Sequence, residues 1–180
     1  TISLFGSAEL QSKYLPDVRS GEKIAAFALT EPEAGSDAAA LTTTAIIVDD
    51  FFVLDGEKTL ISNGGIADYY TVFAKTGEAP GTHGISAFVV DADTPGVEIT
   101  ERIKVIAPHP LARIRFNKCR IPLAQQIGKG GEGFKMAMST LDIFRPTVGA
   151  AALGFARHAL DEALERVKSR KMFGSPMSNL

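Results

Sequence analysis

The strongest structural signal in the sequence lies between Thr42 and Ser62, which reads TTTAIIVDDFFVLDGEKTLIS. Runs rich in β-branched and aromatic residues cover positions 42–48, 51–54 and 58–62, and the pairs Asp49-Asp50 and Asp55-Gly56 separate them. Short apolar runs joined by two-residue acidic or glycine-containing turns are typical of antiparallel strands. The stretch therefore predicts a three-stranded β-meander.

The residues on both sides of this meander also favour strands. A helix predicted from Ser7 to Val18 is followed by a candidate buried strand from Lys23 to Leu29. Further strand-like segments, each bounded by Gly, Pro or Asn, cover residues 69–75, 84–91, 97–99 and 111–116. So many short strands favour a small antiparallel barrel or sandwich.

The pattern changes after Ile121-Pro122. From Glu132 to Val167 apolar residues recur every three or four positions, which predicts one long amphipathic helix with a bend at Pro146. The small side chains of residues 149–156 favour close packing of another helix, for which the sequence offers no candidate. We therefore expect an α+β chain in three parts. These are the end of a helical domain (residues 1–22), a β-domain (23–127) and the start of an incomplete helical domain (128–180).

Composition argues against several classes of protein. The 19 Lys and Arg residues nearly balance 21 Asp and Glu residues, for a formal net charge of −2, so a protein that coats nucleic acid is not expected. Cys119 is the single cysteine and cannot form an internal disulfide. No apolar run approaches the roughly 20 residues that span a bilayer, and the N-terminus does not resemble a signal peptide. We expect a soluble protein of a reducing compartment.

Familiar motifs for dinucleotide binding, metal binding and hydrolysis are either missing from the sequence or stand in the wrong context. The segment from Gly128 to Gly133 matches G-x-G-x-x-G, but it lacks the strand, returning strand and ribose-binding acid of a dinucleotide site, so we interpret it as a hinge. The 3 histidines are isolated, and no cluster has the spacing of metal ligands. No G-x-S-x-G motif marks a nucleophilic serine. Neither a metal site nor a hydrolase is therefore expected.

Two polar segments remain, one from Phe27 to Asp37 (FALTEPEAGSD) and one from Lys58 to Gly65 (KTLISNGG). Their hydroxyls at Thr30, Ser36 and Ser62 follow predicted strands and can line a polar ligand site. The same residue types also cap strand ends through side-chain turns. From the residues alone, both interpretations stay open.

In their order and separation, these segments resemble the T-E-P-x-A-G-S-D loop and the K-x-W-I-T-N-G-G-like strand of the acyl-CoA dehydrogenase family. The similarity continues along nearly the whole chain, through 121–123, 128–134, 141–145, 159–163 and 169–174. The resemblance implies an FAD enzyme that oxidises an acyl-CoA thioester to the trans-2-enoyl-CoA. It also implies an electron-transferring flavoprotein as electron acceptor, and a homo-oligomer, either dimer or tetramer.

The resemblance also assigns roles to individual residues. Residues expected to bind the cofactor are Phe27, Ala28, Leu29, Thr30, Leu60, Ile61 and Ser62, with Arg170 and Met172 reaching the FAD of a neighbouring subunit. Residues expected to bind the substrate are Ser36, Asp142, Ile143, Phe144 and Arg145. Structural roles in the helix compete with ligand contact for Arg145 and Arg170.

This sequence departs from the family pattern at several positions. Leu60 stands where a Trp is frequent beside the flavin, and Met172 stands where a Thr is common. Residues 105–113 replace a segment that usually reads M-G-x-R-x-S, so no contact is assigned to them.

The general base is the largest departure. Most of the family places this carboxylate in the C-terminal helical domain, and a minority places it at the position of Phe144, which cannot accept a proton. We therefore expect no catalytic residue in these 180 residues, which we interpret as an incomplete piece that is inactive alone.

Alternatives on the same scaffold are an acyl-CoA oxidase, a nitroalkane oxidase or a desulfinase-like enzyme, and from another class a non-catalytic binding or assembly module. The expected location is the cytoplasm in a bacterium or the mitochondrial matrix in a eukaryote.

Overall fold

The structure, a computed structural model, describes residues 1–180 and divides into two units, Thr1–Met138 and Ser139–Leu180. The first unit contains helices α1 (Ile2–Phe5) and α2 (Ala8–Ser20) and the strands β1 (Ala25–Ala28), β2 (Thr44–Val48), β3 (Phe51–Ser62), β4 (Tyr69–Lys75), β5 (Ile85–Asp91), β6 (Val97–Ile103), β7 (Leu111–Pro122) and β8 (Gln126–Ile127). Helix α3 (Gly133–Ser169) begins in the first unit and continues through the second, which ends with the hairpin of β9 (Lys171–Met172) and β10 (Ser175–Pro176).

One mostly antiparallel sheet forms the body of the first unit. Its strand order is β6-β7-β3-β2-β4-β5-β8, and β1 pairs in parallel with β4. The sheet curls over itself, since Phe52 of β3 packs edge-on against Phe88 of β5, with ring centroids 4.8 Å apart. Buried side chains from both halves fill the space between, among them Leu54, Val72 and Ile114. The predicted α+β class, with an antiparallel sheet followed by a long helix, is confirmed.

Helix α2 has clear signals at both ends. The Ser7 hydroxyl accepts a hydrogen bond from the Leu10 amide at 3.2 Å, which caps the N-terminus. Gly21 adopts a left-handed conformation, with φ of 81°, and ends the helix. The helix packs through Leu10 and Tyr14, which are buried.

The predicted turn at Asp55-Gly56 is wrong, because β3 runs unbroken for 12 residues. Gly56 has φ of 151°, and a Cβ there would lie 2.7 Å from Thr43 Cα. Glycine is therefore needed because the backbones at Gly56 and Thr43 lie close together, and not because the chain turns. On the facing strand Asn117 and Lys118 stand opposite Asp55, and the Lys118 amide donates to the Asp55 carboxylate at 3.3 Å. This β-bulge lets β7 continue to Pro122, well past the predicted end at Phe116.

A second bulge lies near the end of β3. Thr59 and Leu60 stand opposite Arg113 alone, because Lys58 pairs with Ile114 and Ile61 pairs with Ala112. Leu60 adopts the left-handed region with φ of 55°, which is unusual for a residue with a branched side chain. Leu60 is 56% exposed, whereas the residues on either side of it, Thr59 and Ile61, are buried.

The glycine-rich segment before α3 does not belong to a dinucleotide fold. Strand β8 has 2 residues and pairs antiparallel with β5, so no βαβ unit exists here, as the sequence predicted. A Cβ on Gly133 would lie 2.5 Å from the Ser86 carbonyl carbon, so glycine lets the helix start against β5. The segment connects the sheet to α3.

Helix α3 spans 37 residues and passes through Pro146 without ending, as expected. In the second unit much of its apolar surface is exposed, including Val148, Phe155 and Leu160. None of the helices combines the length and apolar character needed to cross a membrane.

The strain at Leu60 gives a test of the second bulge. Because left-handed backbone costs a residue with a Cβ about 1–2 kcal/mol, we expect Leu60→Gly to be more stable than Leu60→Ala by about 1 kcal/mol in urea unfolding. At Val53, an ordinary position of β3, the order should reverse, with Gly less stable than Ala. Equal stability of the two Leu60 variants would show that the bulge carries no conformational cost.

Candidate functional site

The two segments predicted to bind a ligand lie side by side in the structure. The Thr59 amide donates to the Thr30 carbonyl at 2.9 Å, and the Asn63 side chain donates to the Ala25 carbonyl at 3.3 Å. Lys58 Nζ donates to the Leu29 carbonyl at 3.1 Å. These bonds hold the end of β3 against β1 and against the loop that follows β1. Residues far apart in sequence therefore lie together along one edge, at the end of β3.

A buried ion pair strengthens this junction. Lys58 Nζ lies 2.8 Å from Glu31 Oε1, and the two side chains are 0% and 3% exposed. The Glu31 carboxylate also accepts hydrogen bonds from the Thr42 amide and hydroxyl and from the Thr43 amide, at 2.6, 2.8 and 3.0 Å. A buried charge needs this density of partners to offset its lost hydration.

The pair alters the titration of both groups. Burial alone would raise the pKa of Glu31, but the charge of Lys58 and the surrounding donors outweigh it and lower that pKa to about 2. Burial lowers the pKa of Lys58 to about 8, against the opposing attraction of the Glu31 carboxylate. Near neutral pH the carboxylate therefore stays ionised beside the ammonium.

The junction fixes the turn that follows it. The Glu31 amide donates to the Ala34 carbonyl at 3.0 Å, and the Ala34 amide donates back to the Glu31 carbonyl at 3.2 Å. Ser36 lies just beyond this turn, exposed and with no hydrogen bond from its hydroxyl. Its expected contact with substrate stays a prediction.

Four of the residues expected to bind the cofactor present side chains at this edge. Leu60 and Ser62 are exposed, Phe27 and Thr30 are half-buried, and the Phe27 ring packs on Phe73 with centroids 4.9 Å apart. Ala28, Leu29 and Ile61 are buried and offer only their backbone. Apolar surface beside hydroxyl groups suits a flavin, which has flat apolar faces and a hydrogen-bonding edge. The residues present therefore fit the cofactor that the sequence predicted, although their individual roles stay predictions.

The other predicted site residues belong to the second unit. Asp142, Ile143, Phe144 and Arg145 are exposed on α3, and Arg145 forms an ion pair of 2.8 Å with Asp142. Arg170 and Met172 lie at the end of α3 and in the following hairpin, where the Met177 amide donates to the Arg170 carbonyl at 2.7 Å. Their ligand roles also stay predictions.

Sequence reasoning missed two partners at this edge. It did not pair Lys58 with Glu31, although a lysine inside an apolar strand signals a buried partner. It assigned no contact to residues 105–113, yet His109 Nε2 lies 2.9 Å from Ser62 Oγ. The signal for this second contact is the sequence Pro108-His109-Pro110, in which prolines restrict the backbone on both sides of a histidine.

Other potential sites are less well formed. No group of His, Cys, Asp and Glu residues is arranged to hold a metal ion. Cys119 is buried, and burial raises its pKa to about 11, so it lacks the thiolate character of a nucleophile. A surface cavity of about 390 Å³ lies beside Lys13, Tyr14 and Asp91. The Lys13 and Asp91 side chains of this cavity form an ion pair of 3.1 Å, so each charge already has a partner.

Removing one member of the buried pair should be costly. We expect Glu31→Gln to destabilise the chain by about 3–5 kcal/mol at pH 7 in urea unfolding, because Lys58 loses its counter-charge while it stays buried. Asp49→Asn, which breaks an exposed pair with Arg120, is the matched control and should cost less than about 1 kcal/mol. Similar losses for the two variants would contradict a structural role of the buried pair.

The same pair predicts a particular dependence on pH. Because the folded-state pKa of Glu31 is lowered from 4.5 to about 2, its stabilisation is complete above about pH 4.5 and is lost as the pH falls towards 2. The stability difference between wild type and Glu31→Gln should therefore shrink over this range. Urea titrations at several pH values measure it, and a constant difference would rule out this linkage.

Comparisons with known proteins agree on one family. A family model described as "Acyl-CoA dehydrogenase, middle domain" matches residues 26–119, and one described as "Acyl-CoA dehydrogenase, C-terminal domain" matches residues 131–180. An acyl-CoA dehydrogenase of Bacillus subtilis is 41% identical, over 98% of this chain and 47% of its own length. A protein of Anaerotignum propionicum named acryloyl-CoA reductase (NADH) is 44% identical, over 98% of this chain and 46% of its own length.

A solved structure gives the same result. Butyryl-CoA dehydrogenase from Megasphaera elsdenii superposes with a TM-score of 0.92 at 40% identity, over 99% of this chain and 48% of that one. The chain spans about half the length of the curated relatives that it matches. Since the middle-domain model alone covers more than half of the 180 residues, the chain belongs to the acyl-CoA dehydrogenase family.

Proposed function

We propose that the chain forms part of an FAD-dependent enzyme that oxidises the Cα–Cβ bond of an acyl-CoA thioester to the trans-2-enoyl-CoA. The observation that carries the proposal is the edge at the end of β3, where Leu60 and Ser62 are exposed beside the junction of Lys58 with Glu31. Family membership supports the reaction class and an electron-transferring flavoprotein as the acceptor.

At this edge the chain's own residues bind and orient the cofactor. FAD, when bound, supplies the acceptor for the hydride that leaves the acyl chain. Phe27 and Leu60 offer apolar contact, while the hydroxyls of Thr30 and Ser62 offer neutral hydrogen bonds. Neutral groups suit this role, because added carboxylates would repel negative charge that develops during the reaction. The buried ion pair joins the two segments that carry these residues.

We assign substrate contact to Ser36 and to residues 142–145. Ser36 carries a free hydroxyl for the pantetheine arm, and the exposed Ile143 and Phe144 offer apolar surface for the CoA and acyl portions. Arg170 and Met172 reach the FAD of a neighbouring subunit in this proposal, which requires a homo-oligomer.

We also propose that the 180 residues alone do not remove the α-proton. Phe144 has no proton-accepting group, and the nearby Asp142 carboxylate is held by Arg145 at 2.8 Å. The chain then binds ligands without turning over.

A second candidate is reduction of an enoyl-CoA, the reverse reaction. The 44% identical relative named acryloyl-CoA reductase (NADH) favours it. An acyl-CoA oxidase, a nitroalkane oxidase or a desulfinase-like enzyme would share the same cofactor edge, and a non-catalytic module would not need it.

Titration with FAD tests the proposal. We expect the chain to bind FAD and quench its fluorescence, and Ser62→Ala to weaken binding by about fivefold through loss of one hydrogen bond. Ser20→Ala, which removes an exposed hydroxyl at the end of α2, should bind as wild type. Under anaerobic conditions butyryl-CoA should leave the bound flavin oxidised.

Each alternative gives a different result. Bleaching of the flavin by butyryl-CoA would contradict the missing base, and no response to FAD would favour an assembly module. In a longer protein that adds the remaining length of its relatives, bleaching is expected. Peroxide formation in air would favour an oxidase, and reoxidation by crotonyl-CoA in preference to an electron-transferring flavoprotein would favour a reductase.

A further inference from the structure

Ser62 has a partner that the family resemblance does not supply. His109 Nε2 lies 2.9 Å from Ser62 Oγ, and both residues are exposed. His109 precedes β7 in the segment where this sequence departs from the family pattern. The contact therefore joins the hydroxyl proposed for the flavin edge to a residue with no assigned role.

The backbone around His109 holds this contact in place. Pro108 and Pro110 have a fixed φ, Pro110 also restricts the backbone of His109, and the His109 amide donates to the Ala107 carbonyl at 2.8 Å. Beside the side-chain contact, the Asn63 amide donates to the Pro110 carbonyl at 2.9 Å. Two neighbouring bonds thus tie the end of β3 to the start of β7.

The contact with His109 matters because it determines which hydrogen bonds the Ser62 hydroxyl can still offer to a ligand. A serine hydroxyl has one proton to donate and can accept hydrogen bonds through its oxygen. If the imidazole nitrogen carries a lone pair, Ser62 donates to it and presents only an acceptor to a ligand. If that nitrogen carries a proton, it donates to Ser62, and the hydroxyl proton is free for an acceptor atom of the ligand.

We propose that His109 is a positioning residue, which sets whether Ser62 presents a donor or an acceptor to the flavin edge. The inference rests on the proposed function, since it takes FAD as the ligand. Oxidised flavin offers mainly acceptor atoms at its polar edge, so the protonated imidazole favours binding. FAD affinity therefore rises as the pH falls, because acid favours the imidazolium, in which both ring nitrogens carry protons and Nε2 donates to Ser62.

The charged groups on the neighbouring elements are cationic or already paired. Lys104 lies in the same loop, and Arg102 of β6 donates to the Gly65 carbonyl at 3.0 Å. Arg113 of β7 lies 3.6 Å from both Glu57 and Glu101. The side-chain hydrogen-bonding partner of His109 on β3 is Ser62.

The test measures FAD dissociation constants from pH 5 to 8 for wild type, His109→Gln and His109→Ala. We expect wild-type affinity to rise about fivefold towards pH 5, the value of one hydrogen bond gained. The Gln variant, whose amide keeps a neutral partner for Ser62, should lose this dependence while it binds within about twofold of wild type at pH 8. The Ala variant should also lose the dependence and, because its Ser62 hydroxyl has no imidazole acceptor, should bind FAD at least as tightly as wild type at pH 8. His83→Gln changes another exposed histidine and should behave as wild type.

A spectroscopic measurement tests the pair without FAD. In ¹⁵N spectra of the chain, Ser62→Ala should shift the His109 ring resonances and leave those of His83 in place. Unchanged His109 resonances would overturn the inference, as would the same affinity and pH response in all variants that bind FAD. Failure of wild type to bind FAD would instead contradict the proposed function. Urea unfolding of each variant checks that these exposed substitutions leave the fold intact.

Discussion

The ion pair between Lys58 and Glu31 is the interaction on which the rest of the candidate site depends. It lies inside the first unit, where neither charge has access to bulk water, so the chain must supply every partner that hydration would otherwise give. Satisfying Glu31 requires the amides of Thr42 and Thr43, and satisfying Lys58 requires the Leu29 carbonyl. Three stretches of chain are therefore fixed relative to one another by one electrostatic requirement.

Much of the fold could be predicted because its signals are local. The apolar run of β4 is predicted and observed over the same residues, Tyr69–Lys75, and the Ser7 and Gly21 caps define α2. The error at Asp55-Gly56 arose because glycine has two uses that look alike in sequence. A turn and a close approach between strands both need the missing side chain, and only Thr43, 13 positions away, distinguishes them here.

The candidate site was also predictable only in part, because contacts between residues far apart in sequence organise it. Its two segments carry recognisable motifs, and the structure brings Thr30 and Thr59 within hydrogen-bonding distance. The partners that organise them are set by strand register, which short-range patterns do not encode. Ser62 meets His109 because Ser62 pairs with Leu111 across the ladder of β3 and β7. A shift of that register by one residue would leave both motifs intact and remove the contact.

The ladder of β3 with β7 has a consequence for the order of folding. β3 can pair early with β2, its neighbour in sequence, but its other edge must wait for a strand that begins at Leu111. Such long-range pairing forms slowly, since a large loop must close before any contact compensates for the lost entropy. During synthesis on the ribosome, β3 therefore exposes an unpaired edge until β7 emerges. The ligand edge is completed late, and a molecule that binds there acts on a part of the sheet that closes late.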